Sequence, residues 1–492
     1  ALPALATGFR FDRVEVDGEE VEPALDRSLL TLPRPAGEGE RDRLRVRLDF
    51  AYTVGLSETG DDPLAALAGG GLEPAEIGLL SRHEGGLALG HWFPVWIAPG
   101  GRDDPDPKGF GDIANFPAAL ISARIEVPSE WKLFSGGVTT DRRTDRGRTV
   151  YAEEGVGLRD LSVYVGRAVE VSETRAGETT VRVVSQAADA RAAADVGRET
   201  SDALSALAAA FGPYPWSELD VVDVPLGSGV GGMEWPGAVW IAQSFFAGGL
   251  PGLEGLEGLA GLEDLLGGLG DGEGLGGLAG VLDPAVLGTL RAFVVAHEVG
   301  HEWWHALVGN DSIAAPAVDE PLAQFSACVS FRVHLPEDAQ RVCAFNTTGQ
   351  YRMLRALGEP DARADQATTD FASSRQYGAV VYGKAPELFE RLRSLLGEET
   401  VLAALRRYAE ANAFRMATPG GLRSALVASA PSRAAEIEGL WRRWMEEAHG
   451  DEDLGAQAGG LGGLGGLEGL GPGGAEQLTD LLTKLLESFG GD

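Results

Sequence analysis

Between Gly8 and about Arg175, apolar and polar residues alternate in short runs: RLRVRLDFAYTV (43–54), ISARIEVP (121–128), TVYAEEG (149–155) and LSVYVGRAVEV (161–171), with Gly, Pro and Asp turns between them. Period-two alternation predicts strands with one buried face, so residues 1–175 are expected to form a β-rich N-terminal domain. TTVRVVS (179–185) predicts a further strand, followed by an alanine-rich helix over 188–212 that Gly212 and Pro213 should stop. LDVVDVPL (219–226) reads as a strand, and GGMEWPGAVWIA (231–242) as another opened by glycine. From 288 to 450 the apolar period lengthens to that of helices, as in LRAFVVAHEVGHEWWHALVG, LAQFSACVSFRVHL, APELFERLRSLLG and EETVLAALRRYAEA. The expected fold class is α+β: the β-rich domain, then an α/β domain over 176–450 with a mostly helical C-terminal part.

Composition changes this picture in two places. Residues 247–282 are mostly Gly, Leu, Ala and Glu, and the theme returns at 459–474. Glycine at that density makes the backbone costly to order, so 247–282 is expected to be an insertion and 451–474 a linker. In AEQLTDLLTKLLESFG (475–490), Leu478, Leu481, Leu482, Leu485, Leu486 and Phe489 share one face, which predicts an amphipathic helix within 475–492. Docking on its own body is expected, with self-association or a partner through 475–490 as alternatives.

Charge and cysteine usage exclude some functions. A net charge of −33 leaves no basic footprint for phosphate backbones, so no nucleic acid partner is expected. No apolar run reaches the roughly eighteen residues of a membrane-spanning helix. The sequence opens at Ala1 without a methionine, so an export signal or anchor could have been removed; an extracellular or membrane-associated setting is favoured over a cytoplasmic one. Cys328 and Cys343 could form one bridge between neighbouring helices or remain two buried thiols.

The chemistry concentrates in AHEVGHEWWH (296–305). At about 100° per residue, His297 and His301 lie within about 40° of each other one turn apart, and both can reach one ion. Glu298 points roughly 60° from His301, beside such an ion, suited to taking a proton from water. Two imidazoles with a carboxylate match zinc best, but the spacing alone also arises in helices without a metal, so a third ligand is required. His305 lies about 12 Å along the axis from His297, too far to share an ion with bonds of about 2 Å, and reads as a helix-end histidine. A third histidine six residues past His301 is also missing, since that position is Leu307. The remaining candidate is Glu320, separated from His301 by eighteen intervening residues and at the start of a second helix that Asp319 could cap.

HEVGHEWW followed by Glu320 resembles the gluzincin metallopeptidases, in particular the aminopeptidase N and leukotriene hydrolase family. GGMEWPG (231–237) is similar to that family's G-x-M-E-N segment, and VVYGKAPELFERLR (380–393) to its tyrosine-bearing segment. The resemblance spans roughly residues 40–447 apart from the insertion. It implies a thermolysin-like catalytic domain and one zinc ion held by His297, His301 and Glu320, with Glu298 as general base. It further implies that Glu234 binds a peptide's free α-amino group, that Gly231 and Gly232 contact the peptide backbone, and that Tyr382 stabilises the oxyanion. Without the resemblance, Glu234 could be an ordinary ion-pair carboxylate and Tyr382 a core tyrosine. Tyr377 is a secondary candidate for the cleft, whereas His83, His91, His334 and His449 read as surface or packing residues, and Trp303 and Trp304 as core.

Three departures from the family pattern bear on function. Trp235 stands where the family often has Asn, at the expected edge of the substrate site. Pro321 follows Glu320 where the family usually has Gly and disfavours helical geometry at Glu320. No large helical domain follows residue 450, so a more open cleft is expected. The leading expectation is a zinc aminopeptidase acting on peptides with a free N-terminus. The alternatives are a zinc endopeptidase with an open cleft, or an idle peptide-binding or assembly member of the family.

Overall fold

A computed structural model describes residues 6–26, 29–33, 43–55, 78–83, 85–97, 111, 114–186, 190–227, 230–247, 284–356 and 358–455. The Gly/Leu-rich insertion beyond Ala247 and the expected C-terminal amphipathic helix lie outside the described residues.

Strands dominate the first part, in the order β1 (Ala6–Val16), β2 (Glu19–Glu20), β3 (Ala24–Asp26), β4 (Leu29–Thr31), β5 (Val46–Val54), β6 (Leu80–His83), β7 (Gly86–Leu89), β8 (Ala119–Pro128), β9 (Trp131–Ser135), β10 (Val138–Asp145), β11 (Arg148–Leu158) and β12 (Val163–Arg167). They form antiparallel sheets ordered β2-β1-β5, β3-β4, β10-β11-β8 and β6-β7-β12-β9. Alternation is clear on β11, where Thr149, Tyr151 and Glu153 face inward and Arg148 and Glu154 outward. Tyr151, Leu158, Leu133, Val163 and Val165 close a small core of their own.

The run 161–171, expected as one strand, is two. β12 ends at Arg167, Ala168 turns at φ 59, and β13 (Val169–Ala176) enters a different sheet. A boundary near 175 falls inside the hairpin of β13 with β14 (Thr179–Gln186), and we place the passage between domains at Ala168. The second sheet runs β13-β14-β15-β17-β16, with β15 (Glu218–Val224), β16 (Gly232–Trp235) and β17 (Ala238–Ala242). β14, β15 and β17 are parallel and the outer pairs antiparallel. The expected single strand over 231–242 is therefore a hairpin, because Pro236 and Gly237 (φ 77) make a turn that a continuous strand cannot contain.

Helix α1 (Ala190–Phe211) stops at Gly212 (φ 106) and packs across β13 and β14 and against α2 (Pro284–His301) and α3 (Glu320–His334). Then follow α4 (Pro336–Ala344), α5 (Gln350–Ala356), α6 (Glu387–Leu396), α7 (Glu398–Asn412), α8 (Pro419–Ser429) and α9 (Ala434–Trp441). Sheet and helices share one core that includes Trp240, Trp303, Phe325, Leu388 and Phe389. Each fully buried leucine or phenylalanine there contributes about 1.5–3 kcal/mol. Cys328 and Cys343 are joined in a disulfide between α3 and α4, with Cα atoms 5.6 Å apart. No helix among the described residues is long and apolar enough to cross a membrane.

Helix α2 ends at His301, short of the end of the run LRAFVVAHEVGHEWWHALVG expected to be helical. The carbonyls just beyond it are captured from outside the helix: the buried Arg159 guanidinium donates to His305 O (2.7 Å), Ala306 O (3.0 Å) and Leu307 O (3.2 Å). It also donates to Phe116 O and Arg415 O, so a side chain of the first domain fixes the turn from which the chain returns to α3. Burial pulls this guanidinium down to about 10.

Candidate active site

Two helices bring the three predicted ligands together. His297 and His301 lie on the last turn of α2, and Glu320 opens α3 with Asp319 Oδ1 accepting from its backbone N–H. Pro321 sits in the first turn of α3, where a missing N–H costs nothing, and Glu320 is helical despite it. Gly300 permits the approach of the two helices: a Cβ there would lie 3.0 Å from Ser326 Cβ and 3.3 Å from Ala323.

The ligand atoms form a nearly equilateral triangle. His297 Nε2 is 3.1 Å from His301 Nε2 and 3.3 Å from Glu320 Oε2, and His301 Nε2 is 3.2 Å from Glu320 Oε2. A tetrahedral ion with bonds of about 2.0–2.1 Å spaces its ligands by about 3.3 Å, so the triangle fits zinc. The partners around it agree. His301 Nδ1 faces Trp304 O at 3.0 Å, which places a proton on Nδ1 and turns Nε2 toward His297 and Glu320. Glu320 Oε2 is buried without a hydrogen-bond donor among the described residues, an arrangement that calls for a cation.

Glu298 and Glu234 form a second group with His301, one atom from each lying within 4.8 Å of the others. Gly232 makes this possible, because a Cβ there would fall 2.4 Å from Glu298 Oε1. Glu298 Oε2 is buried with no hydrogen-bond partner among the described residues. Burial and the neighbouring Glu234 carboxylate hold Glu298 well above the usual carboxylate range. Burial lowers His297. It acts the same way on His301, where the carboxylates of Glu234 and Glu320 outweigh it and raise the ring. Glu320 is held well below its usual range, since His301 and His297 overcome its burial.

Tyr382 reaches the site from a π-helical stretch, Gly378–Lys384. Its hydroxyl donates to Glu320 Oε1 at 2.5 Å, and its ring lies 5.9 Å from that of His297 and 5.7 Å from that of Tyr377. Burial and Glu320 push the phenol far above its usual value, so it remains a donor. Gln324 donates to Tyr382 O (3.2 Å) and Asn346 O (3.1 Å), tying the stretch to α3, and Lys384 anchors its end on Asp361 at 2.8 Å. Tyr377 meets Gly111 of the first domain, where a Cβ would lie 2.3 Å from its hydroxyl; it lines the wall behind Tyr382.

Other expectations need correction. His305 is not on the metal helix; it lies past the helix end, with Nδ1 3.9 Å from Asp319 Oδ2. Trp235 does not edge the substrate site. It alternates with Glu234 on β16 and is 1% exposed against Trp240 and His91. His91 is neither surface nor plain packing: it is paired with the buried Asp160 at 2.7 Å. Glu302 was not singled out by the sequence, yet its Oε2 accepts from Gly237 N at 3.2 Å and ties the metal helix to the β16–β17 turn.

Residues 289–444 match the family model described as the peptidase family M1 domain. No curated protein matches the chain. Among solved structures, the M1 zinc metallopeptidase from Deinococcus radiodurans is similar at 18% identity and a TM-score of 0.56, covering 90% of this chain and 85% of that one. An alanine mutant of that enzyme bound to a Tyr-Ser-Ala substrate gives 18% and 0.56, over 89% and 84% of the two chains. A two-domain M1 zinc metallopeptidase mutant bound to L-arginine gives 19% and 0.55, over 91% and 86%. At such identities the likeness is one of fold.

Proposed function

We propose that this chain, which carries a peptidase family M1 domain across residues 289–444, is a zinc-dependent aminopeptidase that removes N-terminal residues from peptides. The observation that carries this reading is the position of Glu234, a buried carboxylate within 4.8 Å of both Glu298 and His301. In a peptide, the α-amino nitrogen is one residue from the first carbonyl. A carboxylate this close to the metal ligands therefore pairs with an ammonium only when the first peptide bond lies in the site.

His297, His301 and Glu320 would hold the zinc ion, which supplies a polarised carbonyl and an acidified water. Glu298, poised high by burial, takes a proton from the attacking water as its oxygen adds to the carbonyl carbon, and returns it to the nitrogen as the C–N bond breaks. Tyr382 keeps its proton and donates to the oxyanion, which needs only a turn about its own C–O bond away from Glu320. Gly232 keeps β16 flush against Glu298, where a Cβ would lie 2.4 Å from Oε1. The Cys328–Cys343 disulfide supports an oxidising setting outside the cytoplasm.

The test is hydrolysis of peptides with free amino termini against the same peptides N-acetylated. A kcat/KM ratio of about 100 or more is expected, since acetylation leaves Glu234 buried against a neutral amide. Equal rates would identify an endopeptidase instead.

A further inference from the structure

The hairpin that carries Glu234 is gripped from both sides. On one side Glu302, next to the ligand His301, accepts from Gly237 N. On the other, the first domain closes on the same hairpin through contacts that leave no slack. Gly136 lies so close that a Cβ would sit 2.1 Å from Pro236 O, and a Cβ on Gly237 would sit 2.3 Å from Gly136 O. A Cβ on Gly90 would lie 2.3 Å from the Trp235 ring.

Beside Gly90 stands His91, whose ring meets the Trp235 indole edge-on at 4.9 Å and Phe116 at 5.5 Å. Asp160 fixes this ring: its Oδ2 lies 2.7 Å from His91 Nδ1 and accepts from His91 N at 3.2 Å, while its Oδ1 accepts from Leu161 N at 2.7 Å. Both residues are at most 4% exposed. The His91 backbone sits at φ 48, a left-handed conformation that a residue with a side chain adopts only when its surroundings impose it. A hydrogen-bonded pair, a left-handed backbone and the close approach of Gly90 thus bear on one indole, and that indole is adjacent to Glu234 on a four-residue strand. Trp235 Nε1 has no hydrogen-bond partner among the described residues, so packing alone locates the ring.

We infer that His91 and Asp160 are positioning residues that set Glu234 through Trp235, so that the first domain determines how tightly the site recognises a peptide's amino terminus. The inference rests on the aminopeptidase reading above. His91 meets the strand at Trp235, whereas α2 is tied to the hairpin through Glu302 at Gly237, so a change at His91 or Asp160 can shift Glu234 without moving the metal ligands on α2.

The experiment uses the zinc-loaded full chain with a pool of tripeptides bearing free amino termini and the same pool N-acetylated. His91→Gln and the near-isosteric Asp160→Asn are expected to raise KM for the free-amino pool about tenfold, with kcat within about twofold and the slow rate on the acetylated pool unchanged. A role confined to stability would instead lower kcat on both pools through loss of active protein, and that result overturns the inference. Unchanged KM in a folded Asp160→Asn protein overturns it as well, whether or not His91→Gln folds. If the wild type fails to discriminate between the pools, the aminopeptidase reading falls and this inference with it. If discrimination survives intact in both variants, only this inference falls.

Discussion

Two places in the molecule bury histidine beside carboxylate, and they do different things. At the proposed metal centre His297, His301 and Glu320 converge, three atoms 3.1–3.3 Å apart. Around His91 a single carboxylate oxygen, Asp160 Oδ2, holds one ring nitrogen at 2.7 Å, and Phe116 and Trp235 meet the ring edge-on. Convergence of lone pairs with no donor among them makes a place for a cation. One nitrogen held by one carboxylate oxygen makes a joint. The type of residue buried does not separate the two; the number of ligand atoms that converge does.

That contrast is sharpest under metal removal. Chelation is expected to abolish turnover and zinc to restore it, while Asp160→Asn leaves the metal content untouched; inactivation in an activity assay and metal analysis check both. Next in size, Glu298→Gln should lower kcat by about 10³-fold with zinc retained, because the amide cannot take the proton from water. Tyr382→Phe removes an oxyanion donor and frees Glu320 Oε1, and kcat is expected to fall about 10²-fold with KM little changed in steady-state kinetics. The smallest effect belongs to the stapled helix pair: Cys328→Ser removes a bridge between residues 15 apart and should cost about 3 kcal/mol in denaturant unfolding, with peptide selectivity unchanged.

These two regions also mark what could be read from the chain. The convergence of His297, His301 and Glu320 was legible because its first part is local, two histidines one helical turn apart, and because Glu320 follows at a spacing with a family likeness. Where the reading went wrong, a distant residue had intervened. Reading His305 as part of the helix end missed Arg159, whose guanidinium takes the carbonyls near His305 from 146 residues away. Treating 231–242 as one strand overlooked what Pro236 and Gly237 require of the backbone. His91 carried no ligand spacing, and its partner Asp160 is 69 residues off on another loop, so neither residue type nor interval could mark it. The nearest available signal was the trio of glycines at 90, 136 and 237, whose missing Cβ atoms are where the first domain meets the hairpin. The β-rich start and the helical second half were plain from periodicity. Where one sheet hands over to the next was not, since Ala168 turns without a glycine or proline.

The most direct test is the zinc content of the purified wild type, Glu320→Gln and Asp160→Asn proteins, measured side by side after equal dialysis. Convergence at the metal centre predicts one zinc per wild-type chain, one in Asp160→Asn and close to none in Glu320→Gln. A wild type without zinc, or a Glu320→Gln protein that keeps it, would contradict the assignment of this triangle as the metal centre.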